Sequence, residues 1–176
     1  MVNTDDADAA EASVRAAVDS LRAATGLEAE IVECDPALAD TAAFCAAYGY
    51  APQDSANTII VIGKSDPPVY AACLVLADSR LDVNKTVRVR LGTRKASFAS
   101  ADDTLALTGH IIGGVTVLAL PSELAIWIDS RVLTRRKVIV GGGGRACKVL
   151  IDPRAIAALP NATVVEGLAS LIDRGP

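Results

Sequence analysis

Few side chains in this sequence could do chemistry, and they are scattered. Residues 108–117 read TGHIIGGVTV and hold the one histidine of the chain, His110, followed by the adjacent glycines Gly113 and Gly114. Adjacent glycines leave φ unrestricted, so their N–H groups can turn towards one point. Such a nest of donors holds a phosphate or a developing oxyanion, although a glycine pair also makes an ordinary wide turn. A second run, Gly141, Gly142, Gly143 and Gly144 followed by Arg145, could present donors in the same way. Asn57 stands at the start of one apolar β-branched run and Asp129 at the end of another. Together these groups suit holding a small polar group and polarising a carbonyl without a covalent step. Each also has a plainer use. Asn57 suits a turn, Asp129 suits a cap on a helix over residues 130–133, and His110 suits a hydrogen-bonded structural histidine.

Several chemistries find no support. The glycine run at 141–144 lacks the GK[ST] ending of a phosphate-binding loop, and GHIIGG has the wrong spacing for a dinucleotide fingerprint. No nucleotide or other cofactor is therefore expected. No GxSxG elbow is present; a Ser–His–Asp triad stays open, but no residue is marked as its nucleophile. Cys34, Cys45, Cys73 and Cys147 are widely spaced, form no CxxC pair and lie in apolar surroundings. Buried core thiols are the expectation, and no metal site.

The elements that must position these residues follow from the hydrophobic pattern. Residues 8–25 read as a helix, with Val14, Val18 and Leu21 at helical spacing and Gly26 as its stop. A short strand is expected over residues 30–33, and a helix from an Asp40 cap to Tyr48, ended by Gly49. Residues 58–62 and 69–76 read as two buried strands, antiparallel through the turn between them. Residues 81–91 are ambiguous. Val87, Val89 and Leu91 alternate as in a strand, whereas Val83, Val87 and Leu91 follow helical spacing after Asp82, and propensity alone leans to strand. A strand over residues 95–99 precedes a helix opened by Ser100 and Asp103 and closed near Gly109. Strands are expected at 124–128, 137–140, 147–151 and 164–165. Asp152 and Pro153 open a helix to about Leu159, and a helix or turn closes the chain.

At 176 residues the chain suits one domain. It is 51% apolar and only 3% aromatic, which gives an aliphatic core and argues against base-stacking platforms. No apolar run reaches the length of a membrane span, and the acidic N-terminus lacks a signal pattern, so a cytoplasmic protein is expected. Charge is segregated: residues 1–40 hold ten acidic and two basic side chains, the rest eleven acidic and fifteen basic. The basic ones cluster at Arg80, Lys85, Arg88, Arg90, Arg94 and Lys95 and again at Arg131, Arg135, Arg136 and Lys137. Two such runs on one side could hold a polyanion.

Read together, SANTIIVIGK (55–64), RLDVNK (80–85), TGHIIGGVTVL (108–118), IWIDSRVL (126–133) and KVIVGGGGRACKVLIDP (137–153) resemble, in this order and spacing, the YbaK/EbsC family. These are aminoacyl-tRNA editing domains associated with prolyl-tRNA synthetase. The match covers about residues 50–170. The resemblance implies an α/β fold, α+β-like in its connections, with a mixed curved central sheet and flanking helices. Residues 1–35 would be an N-terminal helical extension of a single domain over 1–176. It favours a helix over 83–91.

The resemblance further implies hydrolysis of an amino acid wrongly attached to tRNA. Its partners would be a mischarged tRNA and an aminoacyl-tRNA synthetase, with a homodimer left open and no membrane. The family pattern carries a lysine at the start of a strand. Here that position is Asn57, followed by Thr58, as in a recognisable subgroup with ANT. Asn donates a hydrogen bond but brings no charge, and Lys64, seven residues on, has the opposite strand parity. On this reading Gly113 and Gly114 N–H groups stabilise an oxyanion, Asn57 and Asp129 orient the substrate, and His110 is the second-choice base. Thr58, Lys85, Gly142, Gly143 and Arg145 would contact substrate, and Arg88, Arg90, Arg94 and Lys95 would bind phosphates. Two alternatives remain: a binding module that lost catalysis with the lysine, and a hydrolase of a small non-RNA ester or amide.

Overall fold

In the computed structural model, Val14, Val18 and Leu21 form the buried stripe of a long helix, α1 (Thr4–Thr25). Residues 4–172 are described; residues 1–3, at the head of the acidic N-terminus, and residues 173–176, at the tail of the expected closing helix or turn, lie outside them. After α1 come β1 (Ala29–Glu33) and, past a 3-10 turn at Pro36–Leu38, α2 (Thr41–Tyr48). Gly49 ends α2 in the left-handed region, φ 73°.

The central strands are β2 (Ala56–Gly63) and β3 (Val69–Leu76), antiparallel as the sequence pattern predicts. β4 (Ser79–Leu81) leads to a π-helical turn at Val83–Val87 that continues into α3 (Arg88–Arg90). Asp82 accepts the N–H groups of Lys85 and Thr86, and Val87 is fully buried. The helical spacing of Val83, Val87 and Leu91 thus wins over their strand propensity, because the Asp82 cap starts the turn and one apolar face covers the sheet.

β5 (Ala96–Phe98) is followed by α4 (Ala101–Thr108), β6 (Ala125–Asp129), a 3-10 turn at Ser130–Thr134, β7 (Val138–Gly142) and β8 (Gly144–Ile151). The chain closes with α5 (Pro153–Ala157), β9 (Ala162–Val165) and β10 (Ala169–Leu171). Where a closing helix or turn is expected, a turn at 166–167 leads into the strand β10, paired antiparallel with β4. Both strands are three residues long, and neither alternates long enough to be read locally.

The architecture is mixed α/β. A five-stranded sheet runs β5-β2-β3-β6-β9, with parallel pairing of β3 to β6 and β6 to β9. A three-stranded antiparallel sheet runs β1-β8-β7. β3 is covered on both faces, which is why VYAACLVL is one unbroken apolar run. Ala72, Leu74 and Leu76 face the main core with the α1 stripe, Ile126, Ile128, Val140 and Val149. Ala71, Cys73 and Val75 face a second core with Val87, Trp127 and Leu168. A bridge from Ser55 to Ile139 joins the start of β2 to β7, and so joins the two larger sheets. Among the described residues, no helix is long and apolar enough to cross a membrane.

Candidate active site

Where the two larger sheets meet, a cavity of about 220 Å³ opens beside the start of β2. Its polar walls are Asp40, Thr41, Asn57, Thr58, Gly113 and Lys148, and its apolar walls include Phe44, Ile112, Val115 and Ile139. Asn57 and Thr58 are the second and third residues of β2. The Asn57 Oδ1 accepts from Thr41 Oγ1 at 3.1 Å, which ties the strand start to the first turn of α2 and leaves the amide Nδ2 to point elsewhere. The Thr58 hydroxyl is buried and has no hydrogen-bond partner. A buried polar atom left unpaired costs roughly 1–3 kcal/mol, so this one marks a place where a ligand atom is expected.

The opposite wall is built by the loop after α4. Gly109 ends that helix at φ 71°. The loop is then clamped to the β7–β8 turn: Ile111 N–H donates to Gly143 O at 3.0 Å, and Gly143 N–H donates to Gly114 O at 2.7 Å. Within the clamp the two adjacent glycines do different things. Gly113, at φ 93°, lines the cavity, and its N–H has no partner among the described residues. Gly114 N–H donates to Ile111 O at 2.9 Å, and Gly114 is not part of the cavity wall. A Cβ at Gly114 would lie 2.0 Å from Gly144 O. Of the expected pair of donors only the Gly113 N–H is left without a partner among the described residues, and Gly114 serves the close approach of two backbones.

The glycine run is equally divided. Gly141 lines the cavity, while Gly142 packs on Cys147 and Gly143 (φ 89°) packs against the Ala10 carbonyl of α1. Gly142 and Gly143, expected as substrate contacts, instead shape the turn behind the wall. Arg145 braces it. Its Nε donates to Pro36 O at 3.1 Å, its Nη1 lies 3.3 Å from the Asp40 carboxylate, and a Cβ at Gly113 would strike Nη1 at 2.0 Å.

Other sequence-marked residues lie away from the cavity. Asp129 is fully buried, and its carboxylate accepts Arg131 N–H, Arg131 Nε and Ala169 N–H at 2.9–3.1 Å. It caps the 3-10 turn and anchors β10, so every near donor is structural. His110 is 2% exposed and lies beside a separate pocket against α1. Burial pushes its imidazole down to about 4, so it is neutral at pH 7. It does not reach the Asn57 cavity. Cys73 and Cys147 are pushed up to about 12 and about 11 by burial, which makes both thiols poor nucleophiles. All four cysteines are buried and free.

The two basic runs also separate. Arg131, Arg135 and Lys137 pair with Asp129, Asp54 and Glu28. Lys85, Arg88, Arg90, Arg94 and Lys95 form no ion pair among the described residues. Arg90 lies 5.1 Å over the Trp127 ring, on the face of the sheet that also carries Cys73 and Val87. Thr58, in step with Ala56 and Ile60, belongs to the other face.

Lys148 is a polar wall that the motif reading passed over. Cys147, Val149 and Ile151 alternate inwards, which leaves Lys148 on the other face of β8, the middle strand of its sheet. The signal was there: a lysine inside an apolar run, where strands seldom place one.

Comparison with known proteins agrees with this architecture. A family model described as the aminoacyl-tRNA editing domain matches residues 35–159. A crystal structure of a hypothetical protein aligns with a TM-score of 0.75 at 25% identity, over 88% of this chain and 99% of that one. A proposed trans-editing enzyme for prolyl tRNA synthetase aligns at 0.74 and 22% identity, over 94% and 98%. A scaffold used for computational epitope grafting aligns at 0.73 and 24%, over 89% and 96%.

Proposed function

Because this chain belongs to the aminoacyl-tRNA editing domain family, we propose that it hydrolyses the ester between an amino acid and the terminal ribose of a mischarged tRNA. The observation that carries this reading is a pair of hydrogen-bonding groups without a partner among the described residues, on two residues that line one small cavity: the Gly113 N–H and the buried Thr58 hydroxyl. Water attacks the ester carbonyl carbon while the carbonyl electron pair moves onto oxygen, which Gly113 N–H receives. The carbon–oxygen bond to ribose then breaks. The ribose oxygen takes one proton from the attacking water, relayed by the neighbouring ribose hydroxyl, and the amino acid leaves as a carboxylate with release of the second proton. The substrate must supply that relay, since the one carboxylate at the cavity, Asp40, is held by Arg145. Asn57 Nδ2 and Thr58 orient the aminoacyl group.

Lys85, Arg88, Arg90, Arg94 and Lys95, which form no ion pair among the described residues, bind tRNA phosphates without reading sequence. Arg90, over Trp127, lies on the other face of the sheet from Thr58, so the tRNA end reaches the cavity around the start of β2. A synthetase that holds the mischarged tRNA is the natural protein partner. A panel of mischarged tRNAs tests the activity directly: release of amino acid from at least one is expected, and it should weaken steeply between about 50 and 200 mM salt as counterion release is lost. No release from any of them would overturn the reading. It would favour the second one, a binding module without turnover, which Asn57 in the family's lysine position supports. Salt-insensitive hydrolysis of a small ester would instead favour an enzyme that ignores RNA.

A further inference from the structure

Lys148 is the polar group of the cavity with the most unspent capacity. It is 7% exposed, and burial lowers its affinity for a proton below that of an ordinary lysine. Its Nζ donates to one group only, the Gly113 carbonyl at 2.8 Å, and no carboxylate lies within ion-pair distance among the described residues. Asp40, on the same cavity wall, is engaged by Arg145. A lysine ammonium has three protons to donate, so two remain. Desolvating such a cation against one neutral carbonyl is costly, and a site that keeps it there gains an anion-binding group in return.

The surroundings fix where the ammonium sits. Lys148 pairs with Gly141 across β7–β8 and with Val32 across β1–β8. Side chains at paired positions share a face, and Gly141 brings no side chain to that face, so the loop packs directly on it beside the lysine. A Cβ at Gly141 would strike the Gly114 and Val115 carbonyls at 2.4 and 2.3 Å. The lysine stem therefore lies under the same loop whose Gly113 carbonyl receives Nζ. Gly113 thus fixes the cation with its carbonyl and offers its own N–H to the cavity, so both donors belong to one peptide neighbourhood.

We propose that Lys148 is a catalytic residue that binds the oxyanion formed on the ester carbonyl, supplying from β8 the positive charge that the β2 position, occupied by Asn57, does not. The inference rests on the deacylase reading and is tested apart from it. During attack the carbonyl oxygen gains the electron pair, and Lys148 Nζ turns one spare proton onto it while keeping its bond to Gly113 O. No proton is transferred from the lysine, which ends the cycle as it began.

The test uses a mischarged tRNA that the wild-type chain deacylates. Lys148→Gln keeps a donor, one bond nearer the backbone, but removes the charge. We expect kcat to fall by about 10²–10³-fold with KM changed less than about threefold, and Lys148→Arg to retain more activity than Lys148→Gln. A folded Lys148→Gln variant with wild-type kcat overturns the inference and leaves the deacylase reading standing, whereas a wild-type chain inactive on every mischarged tRNA overturns the deacylase reading itself. A second measurement needs no variant. The unaltered protein should bind a phosphonate analogue of aminoacyl-adenosine, an anionic mimic of the tetrahedral state, at least about 100-fold more tightly than the neutral amide analogue. Equal affinity for the two overturns the assignment of Lys148 even if Lys148→Gln does not fold.

Discussion

Two pockets flank the loop at residues 108–117, and they differ in how much of their polarity is already used. The pocket against α1 is the larger, about 390 Å³, and contains the histidine. Its histidine belongs to a local chain of hydrogen bonds: Thr108 Oγ1 donates to Thr104 O at 2.6 Å, His110 N–H donates to Thr108 Oγ1 at 3.0 Å, and Thr116 N–H donates to His110 Nδ1 at 3.5 Å. The pocket at β2 is smaller, about 220 Å³, yet it holds an unpartnered hydroxyl, an unpartnered N–H and a lysine with protons to spare. Residue type favours the first as an active site and unspent hydrogen-bonding capacity favours the second. The second criterion has the better physical basis, because a satisfied group has nothing left to give a substrate.

The strongest way to break this contrast is at the glycine where the loop between the pockets meets the β7–β8 turn. Gly114→Ala places a Cβ against a backbone carbonyl that has no room to move, and should cost about 3 kcal/mol or more of stability, read by urea unfolding. Close behind comes His110. Its folded proton affinity is depressed, so its contribution to stability is fully present above about pH 6.5 and is lost as pH falls towards 4. The shift amounts to about 3 kcal/mol at most. His110→Gln should flatten the pH dependence of stability between 4 and 6.5 while leaving deacylation at pH 7 within about threefold. A large activity loss with stability intact would move the chemistry to the α1 pocket.

Thr58→Val sharpens the contrast in the other direction. Removing a buried hydroxyl that has no partner should raise stability by about 1 kcal/mol and lower kcat/KM about tenfold, two signs that a purely structural threonine could not give together. The smallest effect belongs to Asp40→Asn. It loosens the Arg145 brace at an exposed carboxylate, so thermal stability should change by less than about 1 kcal/mol. A shift above that would make the brace part of the core.

What the sequence disclosed divides along the same line. Local grammar carried far. β2 and β3 follow from their apolar runs, α4 from Ser100 accepting the Asp103 N–H, and α2 from Gly49 at its end. Asn57 and Gly113 were legible as neighbours of one site through their family positions. The rest depends on pairings distant in sequence. Which of two adjacent glycines faces the cavity is decided by Gly143 and Gly144, some thirty residues on, and no local pattern states it. Asp129 reads the same whether it serves a substrate or caps the next turn until Ala169 takes its second oxygen. Lys148 was hidden by the opposite effect. A cation within a strand resembles a solvent-facing residue, and only the covering loop shows that it faces a cavity.

The β7–β8 turn also leans on α1. Ala146 N–H donates to the Glu11 carboxylate at 2.9 Å, and Cβ atoms at Gly143 and Gly144 would collide with Ala10 and Glu11. That helix lies outside the stretch, residues 35–159, by which the family is recognised. The frontier drawn by homology and the frontier drawn by mechanics therefore do not coincide. Excising the matched stretch would strip the buttress from the hairpin that carries Lys148, and the chain's own leading segment is part of the scaffolding of its cavity wall.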